Sequence, residues 1–354
     1  MVNPTTLDVA RDRAYDDTKT VLPVEVARGV YVQNAPSAES LKLMHLLLAK
    51  AGARMADDVR HDLRLADIKA VDGMRNHTRT TLRELFVEIA GAVFVFENHE
   101  EECDLIGGFV DRIRLDYKHE LSGDVLISWW FGGAFREMAE KSCHWAILDR
   151  HTIFALRSKY SILLFQHLSS LTNLRHVDRK SFAIPELRQV LGVPDGRLER
   201  FADLRRFALE PSVEELTQLS RFEVWYEIEK LGRRVSEVTI RWADKDMDSR
   251  KEAKRELDRS QTGRKARREG NVDEVTTSDN AKMVFPSSGG LRYEPSWHRL
   301  AEIHAKRLND GHLPDTTKLA TAFREFCSAR DIPLDKSNIV NIFIGFCKSY
   351  YPRS

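Results

Sequence analysis

The chain has 354 residues, 42% of them hydrophobic and 31% charged, which is the balance of a folded globular protein rather than a disordered one. This length suits two or three domains. No run of eighteen apolar residues occurs and the first thirty residues lack a hydrophobic signal region, so we expect neither a membrane protein nor a Sec-exported one. The four cysteines lie far apart, which excludes a disulfide scaffold and a zinc finger and favours the reducing cytoplasm.

The formal net charge is only +1, but the charges are unevenly distributed. Residues 149–209 hold eleven Lys and Arg against six Asp and Glu, and residues 250–270 hold nine against four. Residues 97–104 have five acids and no Lys or Arg. Basic blocks in a neutral chain favour a nucleic-acid-binding protein, although a solvated charged surface explains the charge pattern equally well.

The first half of the chain changes from helical to β periodicity. Residues 1–37 have little periodicity and are read as an N-terminal extension. Three helices are predicted next, the first capped by Ser37 or Ser40 and the third ending at Gly91. The β-rich runs 91–97, 104–118 and 124–131 then precede a short helix near 134–141. Three helices followed by a hairpin is the order of a winged helix-turn-helix, which we place at residues 38–149.

The same order of elements recurs over residues 150–242, which predicts a second winged helix. A helix over 153–171 and a short helix over 182–192 lead to a turn at 194–196. Asp195 is expected to cap a helix over 197–208, and Pro211 to open another helix. Two alternating strands then close around Gly232.

The remaining residues are expected to form a basic, polar linker over 243–294, beginning as a charged helix, and a three-helix module over 295–354. The predicted fold class is therefore α+β and helix-rich. It has two tandem winged helix-turn-helix domains, a charged linker and a small C-terminal helical module.

A search for enzyme motifs finds none. No glycine is followed by lysine, so there is no P-loop. No two histidines lie within two residues of each other, which excludes a His-x-His metal pair, and the motif HExxH does not occur either. Tyr160, Tyr350 and Tyr351 have no neighbouring metal-binding cluster in the sequence that would make them nucleophiles. We therefore expect no catalytic residue, no cofactor and no metal.

The predicted helix 197–208 favours DNA binding over catalysis, because Arg200 and Arg206 lie on its outer face. Arginine can bind guanine O6 and N7 together in the major groove. Lys230, Arg233 and Arg234 in the wing would meet phosphates beside that helix. The alternative is a solvated helix in which Arg200 or Arg206 pairs with Glu199 or Asp203.

A second DNA surface is predicted on the first winged helix, formed by Arg75, Arg79 and Arg83. Structural pairing of these arginines with Glu84 or Glu88 is the alternative.

Four runs resemble the second winged helix of theta-type plasmid replication initiators, which bind direct repeats (iterons) at a plasmid origin. The runs are SKYSILLFQHL, ELRQVLGV, RFADLRRFALEPSVEEL and FEVWYEIEKLGRRVSEVTIRW. The resemblance is specific over 150–242 and looser over 38–149. It implies a base-reading helix over 197–208 with further DNA contacts from the SKY segment of the helix over 153–171 and from the wing. The residues implied are Lys159, Arg197, Arg200, Arg205, Arg206, Arg233 and Arg234. Glu215-Leu216-Thr217 departs mildly from the family's Glu-Ile-Asn, and the tail lies outside the family's two domains.

The resemblance implies a DNA-binding initiator that opens an A·T-rich segment, recruits the host replication initiator and replicative helicase, and represses its own promoter. It also implies a monomer–dimer switch in the first winged helix. Six aromatic residues there could be either a dimer surface or core: Phe94, Phe96, Phe109, Trp129, Trp130 and Phe131. A winged-helix transcriptional regulator without initiation activity is the alternative function.

Overall fold

Two compact units make up the protein, residues 1–271 and residues 272–354. The structure is a computed structural model that describes residues 4–28, 30–33, 35–71, 74–98, 102–119, 124–172, 177–269, 284–305, 314–336 and 339–350.

The N-terminal segment is an integral part of the first unit, unlike the extension predicted for residues 1–37. Its elements are α1 (Thr6–Asp12), β1 (Lys19–Pro23), α2 (Val24–Arg28) and β2 (Val30–Gln33). Strand β1 pairs antiparallel with β8 (Trp145–Asp149), and Leu22 is fully buried. These elements are only four to seven residues long, so they are too short for periodicity to reveal them.

The first winged helix follows the predicted order of helices. Ser37 caps α3 through a hydrogen bond from the Ser40 backbone N–H to its hydroxyl, and Thr78 caps α5 in the same way. The third predicted helix, α5, buries one apolar stripe formed by Leu82, Phe86 and Ile89. The helices are α3 (Ala38–Ala51), α4 (Leu65–Lys69), α5 (Arg79–Gly91) and α6 (Gly133–Lys141), with a 3₁₀ turn at Gly52–Ala56.

Two three-stranded sheets complete this domain, in the orders β2-β4-β5 and β3-β7-β6. The run 104–118, predicted as one strand, divides at the buried Phe109, because its first part pairs with β4 and its second with β7. Gly107 permits α6 to pack on β5, since a Cβ there would lie 2.5 Å from the Ala134 Cβ. The strands are β3 (His61–Arg64), β4 (Val93–Asn98), β5 (Cys103–Gly108), β6 (Val110–His119) and β7 (Asp124–Phe131).

The aromatic residues of this domain mostly form its core, which contradicts the idea of a large aromatic dimer surface. Phe109, Trp129 and Phe131 are buried, and Phe135 packs against the two phenylalanines with ring centroids 4.8–4.9 Å apart. Trp130 is half-buried, with the Arg112 guanidinium 4.3 Å from its ring centroid. The side chains of Phe94 and Phe96 lie outside the described residues.

The second winged helix begins with α7 (Arg150–Ala155) and α8 (Lys159–Leu171) rather than the single helix predicted over 153–171. Ser158 separates them by accepting the Tyr160 backbone N–H as the cap of α8. A three-stranded sheet in the order β10-β11-β9 closes the domain. The remaining elements are β9 (Arg179–Ala183), α9 (Ile184–Val190), α10 (Phe201–Leu204), a π-helical segment (Arg205–Leu209), α11 (Glu210–Leu219), β10 (Phe222–Leu231) and β11 (Arg234–Asp244).

One continuous hydrophobic core runs through both winged helices, from Leu22 and Leu47 to Leu216 and Trp242. Because this core has no break between the two domains, the predicted domain boundaries stay a prediction.

The first part of the predicted linker is folded onto the first unit. It forms α12 (Met247–Asp258) and α13 (Arg264–Arg268). The buried Glu256 binds Arg267 with oxygen–nitrogen distances of 2.7–3.1 Å, and the Arg264 guanidinium reaches the Ala155 carbonyl of α7 at 3.0 Å. Burial alone would raise the pKa of Glu256, but the neighbouring arginines outweigh it and hold that pKa below its ordinary value.

The second unit contains the three predicted C-terminal helices. Its core is an aromatic cluster in which Phe285 contacts Trp297, Phe323 and Phe343 with ring centroids 4.7–5.1 Å apart. The helices are α14 (Pro295–His304), α15 (Thr316–Ser328) and α16 (Ile339–Ser349).

Candidate nucleic-acid interface

The central element of the candidate interface is one helix over residues 201–219, here called the recognition helix. It comprises α10, the π-helical segment and α11 without interruption, whereas the sequence predicts two helices that meet before Pro211. Pro211 has no N–H for the carbonyl four residues earlier, and its ring crowds that carbonyl. The wider π turn accommodates the proline, with the Glu210 N–H bonded to the Arg205 carbonyl five residues back.

The recognition helix begins later than predicted, at Phe201 rather than Arg197. The preceding turn holds Gly192, Gly196 and Leu198 at positive φ, which keeps the chain out of the helical conformation. The Arg188 guanidinium of α9 donates hydrogen bonds of 2.6 Å to the carbonyl oxygens of both Arg197 and Leu198. Arg197 therefore lies in the turn, and Arg200 occupies the N-cap.

The faces of the recognition helix divide as the sequence predicts. Leu204 and Ala208 are buried, and Arg200 and Arg206 are exposed. Arg205 is exposed as well, although its sequence position is nearer the apolar side. The Arg206 guanidinium lies 5.2 Å from the ring centroid of its neighbour Phe207.

Acidic partners do not neutralise the start of this helix. Within the described stretch 177–269, no ion pair joins Arg200 or Arg206 to Glu199 or Asp203, the alternative that the sequence left open. Arg205 is different, since its Nε lies 4.0 Å from a Glu210 carboxylate oxygen.

The wing is the hairpin of β10 and β11, and it carries the three predicted phosphate-binding residues. Lys230, Arg233 and Arg234 are all exposed at its tip. The two-residue loop has Gly232 at its first position with φ +65°, the pattern typical of a type II′ turn. The recognition helix and the wing, which carry Arg205, Arg206 and the three wing residues, are joined by a single loop at Ser220–Arg221.

Lys159 has a different environment from the other candidates of the second winged helix. It is the first residue of α8 and is half-buried, and burial lowers its pKa against the opposing effect of the Glu88 carboxylate. Since Glu88 belongs to α5, the structure places Lys159 beside the first winged helix.

The three arginines predicted on the first winged helix lie in or just before α5. Arg75 is exposed in the loop before the helix, and Arg79 and Arg83 line a groove between α5 and β6. Glu88, one of their alternative partners, instead accepts hydrogen bonds from the backbone N–H and hydroxyl of Ser37, at 2.9 and 2.6 Å. These arginines belong to a different domain from the recognition helix.

Sequence reasoning missed two residues of the interface. Arg188 was not singled out because its role depends on carbonyl groups nine and ten residues away. Phe207 is 53% exposed on the recognition helix, although aromatic residues are usually buried. Its exposure could have been predicted from the sequence, because Phe207 lies outside the apolar stripe formed by Leu204 and Ala208.

Among the described residues, no group of three or more His, Cys, Asp or Glu side chains is placed to hold a metal ion. None of the helices in the described ranges is long and apolar enough to cross a membrane.

Comparisons with known proteins give two family matches. A family model described as "Initiator Replication protein, WH1" matches residues 30–169, and one described as "Initiator Rep protein, WH2" matches residues 183–242. Together these matches cover more than half of the chain, and they confirm the predicted tandem of winged helices.

Other comparisons add little. No curated protein matches the chain. A crystal structure of domains 2 and 3 of RctB is similar with 13% sequence identity and a TM-score of 0.34, over 58% of this chain and 82% of that one. A TM-score this low does not establish a shared fold.

Proposed function

Because the chain belongs to the initiator Rep protein family of theta-type plasmid replication initiators, we propose that it binds iterons at a plasmid origin through its second winged helix. The observation that carries the proposal is the exposure of basic residues both at the start of the recognition helix and at the tip of the wing. Arg200 and Arg206 are exposed on the helix, and Arg233 and Arg234 are exposed at the wing tip.

In this proposal, the two elements have different tasks. Arg200 and Arg206 read guanine edges in the major groove, where the planar guanidinium can reach O6 and N7 together. Phe207 supplies an apolar contact of the kind that suits a thymine methyl group. The wing residues neutralise phosphates, which adds affinity for any sequence and fixes the position of the helix.

Origin opening would follow from binding energy rather than from catalysis, so we propose that the protein is not an enzyme. Several copies on tandem iterons would bend the DNA and destabilise an adjacent A·T-rich segment, since deforming flexible steps costs only a few kcal/mol. The opened segment would then receive the host replication initiator and replicative helicase. These events belong in the cytoplasm, where plasmids replicate.

Footprinting on the DNA that flanks the protein's own gene tests this proposal. We expect protection of tandem repeats, together with permanganate-reactive thymines in a neighbouring A·T-rich segment. The double variant Arg233→Ala/Arg234→Ala is the matched control and should lose both signals at the same protein concentration. Protection of a lone inverted repeat without reactive thymines would favour a transcriptional regulator instead.

We also propose that the first winged helix mediates a monomer–dimer switch. A two-fold dimer matches an inverted repeat, whereas a tandem array suits monomers. Sedimentation from micromolar to nanomolar concentration, paired with gel shifts on both kinds of site, tests the switch. Dilution should raise binding to iterons per protomer and lower binding to the inverted repeat. A chain that stays monomeric at every concentration would exclude the switch.

A further inference from the structure

A groove of about 530 Å³ lies on the first winged helix, between α5 and β6. It lies between the third helix of this domain and the strand that pairs with β7. Arg79, Arg83 and Val87 recur every four residues on α5 and face the groove as one stripe. Ile113, Leu115 and Tyr117 alternate on β6 and line the other side.

The groove is charged at one end and apolar along its floor. Arg79, in the first turn of α5, lies over the Tyr117 ring with its guanidinium carbon 4.4 Å from the centroid. Val87 is 65% exposed and Tyr117 is 58% exposed, which is unusual for large apolar and aromatic side chains. The buried Phe86 closes the floor between them.

The equivalent region of the second winged helix has a different chemistry. There the recognition helix presents Arg205 and Glu210 toward Tyr226 of β10, and burial and the Glu210 charge raise the pKa of that tyrosine. The groove of the first winged helix contains no acid among its lining residues, which combine two arginines with apolar and aromatic side chains.

We propose that this groove of the first winged helix binds a peptide segment of a partner protein that carries apolar anchor residues followed by acidic side chains. The apolar residues would cover Val87, Ile113 and Leu115, and the carboxylates would pair with Arg79 and Arg83. DNA fits less well, because a phosphate backbone would leave the exposed apolar floor without a complementary partner. The inference goes beyond iteron binding and does not depend on which DNA the second winged helix recognises.

Selection of peptides on the full chain tests the proposal. A random library of twelve-residue peptides is displayed and selected on the wild-type protein, with counter-selection on Val87→Glu. That variant places a negative charge in the apolar part of the groove, and its exposed position spares the core.

We expect recovered sequences to combine apolar residues with Asp or Glu. A synthesised peptide should bind wild type at least tenfold more tightly than Val87→Glu. Replacing its acids by the matching amides should also weaken binding at least tenfold.

Two matched variants complete the experiment. Val87→Leu should retain peptide binding, and Ile303→Glu, the same kind of change at a 62% exposed apolar residue of the second unit, should bind like wild type. Iteron footprints of Val87→Glu should be unchanged, so failure of the iteron proposal is distinguishable from failure of this one.

Three outcomes would overturn the proposal. The first is recovery of peptides without acidic residues, or of peptides that bind Val87→Glu equally well. The second is loss of duplex-DNA binding in Val87→Glu, which would assign the groove to DNA. The third is loss of self-association in Val87→Glu without any selected peptide, which would assign the groove to a second copy of the chain.

Discussion

Arg188 and Leu198 are joined by a 2.6 Å hydrogen bond from the guanidinium to the carbonyl oxygen, across the turn that precedes the recognition helix. The second branch of the same guanidinium holds the Arg197 carbonyl at 2.6 Å. Leu198 has a φ of +50°, a conformation that is costly for a side chain of its size. The Arg188 fork therefore stabilises the backbone that positions Arg200.

Arg188→Lys should weaken specific DNA binding although Arg188 is assigned no DNA contact. A lysine is a single point charge on a flexible stem and cannot hold both carbonyls in the planar geometry of arginine. We expect a loss of about 1–3 kcal/mol in the free energy of unfolding and roughly tenfold weaker binding of iteron DNA. The dependence of binding on salt should keep its slope, because no phosphate contact is removed. Arg255→Lys, at an exposed arginine of α12, is the control; a reduced salt slope in Arg188→Lys would show that Arg188 contacts phosphate.

Arg200→Ala and Arg206→Ala should each cost about 1–3 kcal/mol on iteron DNA and less on random DNA, because base contacts carry sequence discrimination. Arg233→Ala and Arg234→Ala should instead weaken binding to all sequences and reduce the salt slope by about one unit each. Binding isotherms on both DNAs at several salt concentrations measure this difference. Equal losses on the two DNAs for Arg200→Ala would remove that residue from the base-reading set.

The purified protein should neither hydrolyse ATP nor nick supercoiled origin DNA in the presence of magnesium. The reason is that the sequence has no P-loop and no His-x-His pair to position a metal. Phosphate release and gel analysis of plasmid topology measure the two activities. Reproducible nicking that disappears in Tyr160→Phe would contradict this prediction.

Buried histidines should make the first unit less stable in mild acid. Burial lowers the pKa of His45 to about 3, and burial together with the charges of Arg28 and Lys180 lowers that of His167 to about 3. An unfolded histidine has a pKa of about 6.5, so the unfolded chain takes up protons first as the pH falls. Stability is fully present above pH 6.5 and is lost toward pH 3, at about 1.4 kcal/mol per pH unit for each histidine.

Urea unfolding at pH 7, 6 and 5 measures this loss. His167→Gln should remove part of the pH dependence in that range, because glutamine does not titrate, whereas His45 and His61, whose pKa burial also lowers, remain. His298→Gln, in the second unit and only half-buried, is the control and should leave the slope unchanged. An unchanged slope in His167→Gln would mean that this histidine has nearly the same pKa in the folded and the unfolded protein.

Glu256→Gln should destabilise the first unit by about 3–5 kcal/mol, the usual cost of breaking a buried ion pair. The Glu256 side chain is only 5% exposed, and the change would leave Arg264 and Arg267 without their carboxylate. Glu252→Gln on the same helix is the matched control, since the side chain of Glu252 is 52% exposed and its pairs are worth less than about 1 kcal/mol. Chemical denaturation measures the free energy of unfolding of both variants. Equal losses would mean that the ion pairs of Glu256 stabilise the first unit no more than the exposed pairs of Glu252 do.

Local sequence patterns were sufficient for the helices with a clear apolar stripe and for the hairpin of the second winged helix. The stripe of α5, the cap at Ser37 and the glycine turn at Gly232 all depend on residues within one or two turns of each other. The resemblance of residues 150–242 to replication initiators was likewise readable from sequence. These features are decided by periodicity, capping and turn chemistry, which are local.

Other features depend on residues that are distant along the chain. The N-terminal strand β1 exists through pairing with β8, some 125 residues later, and Phe109 and Phe131 became core residues because β6 and β7 bring them together. The start of the recognition helix depends on Arg188, and the π turn before Pro211 overrides the usual boundary at proline. The sequence by itself determined the two winged helices and their basic residues. Only the tertiary structure decided which of those residues share a surface, because burial and hydrogen bonding join groups that no local pattern connects.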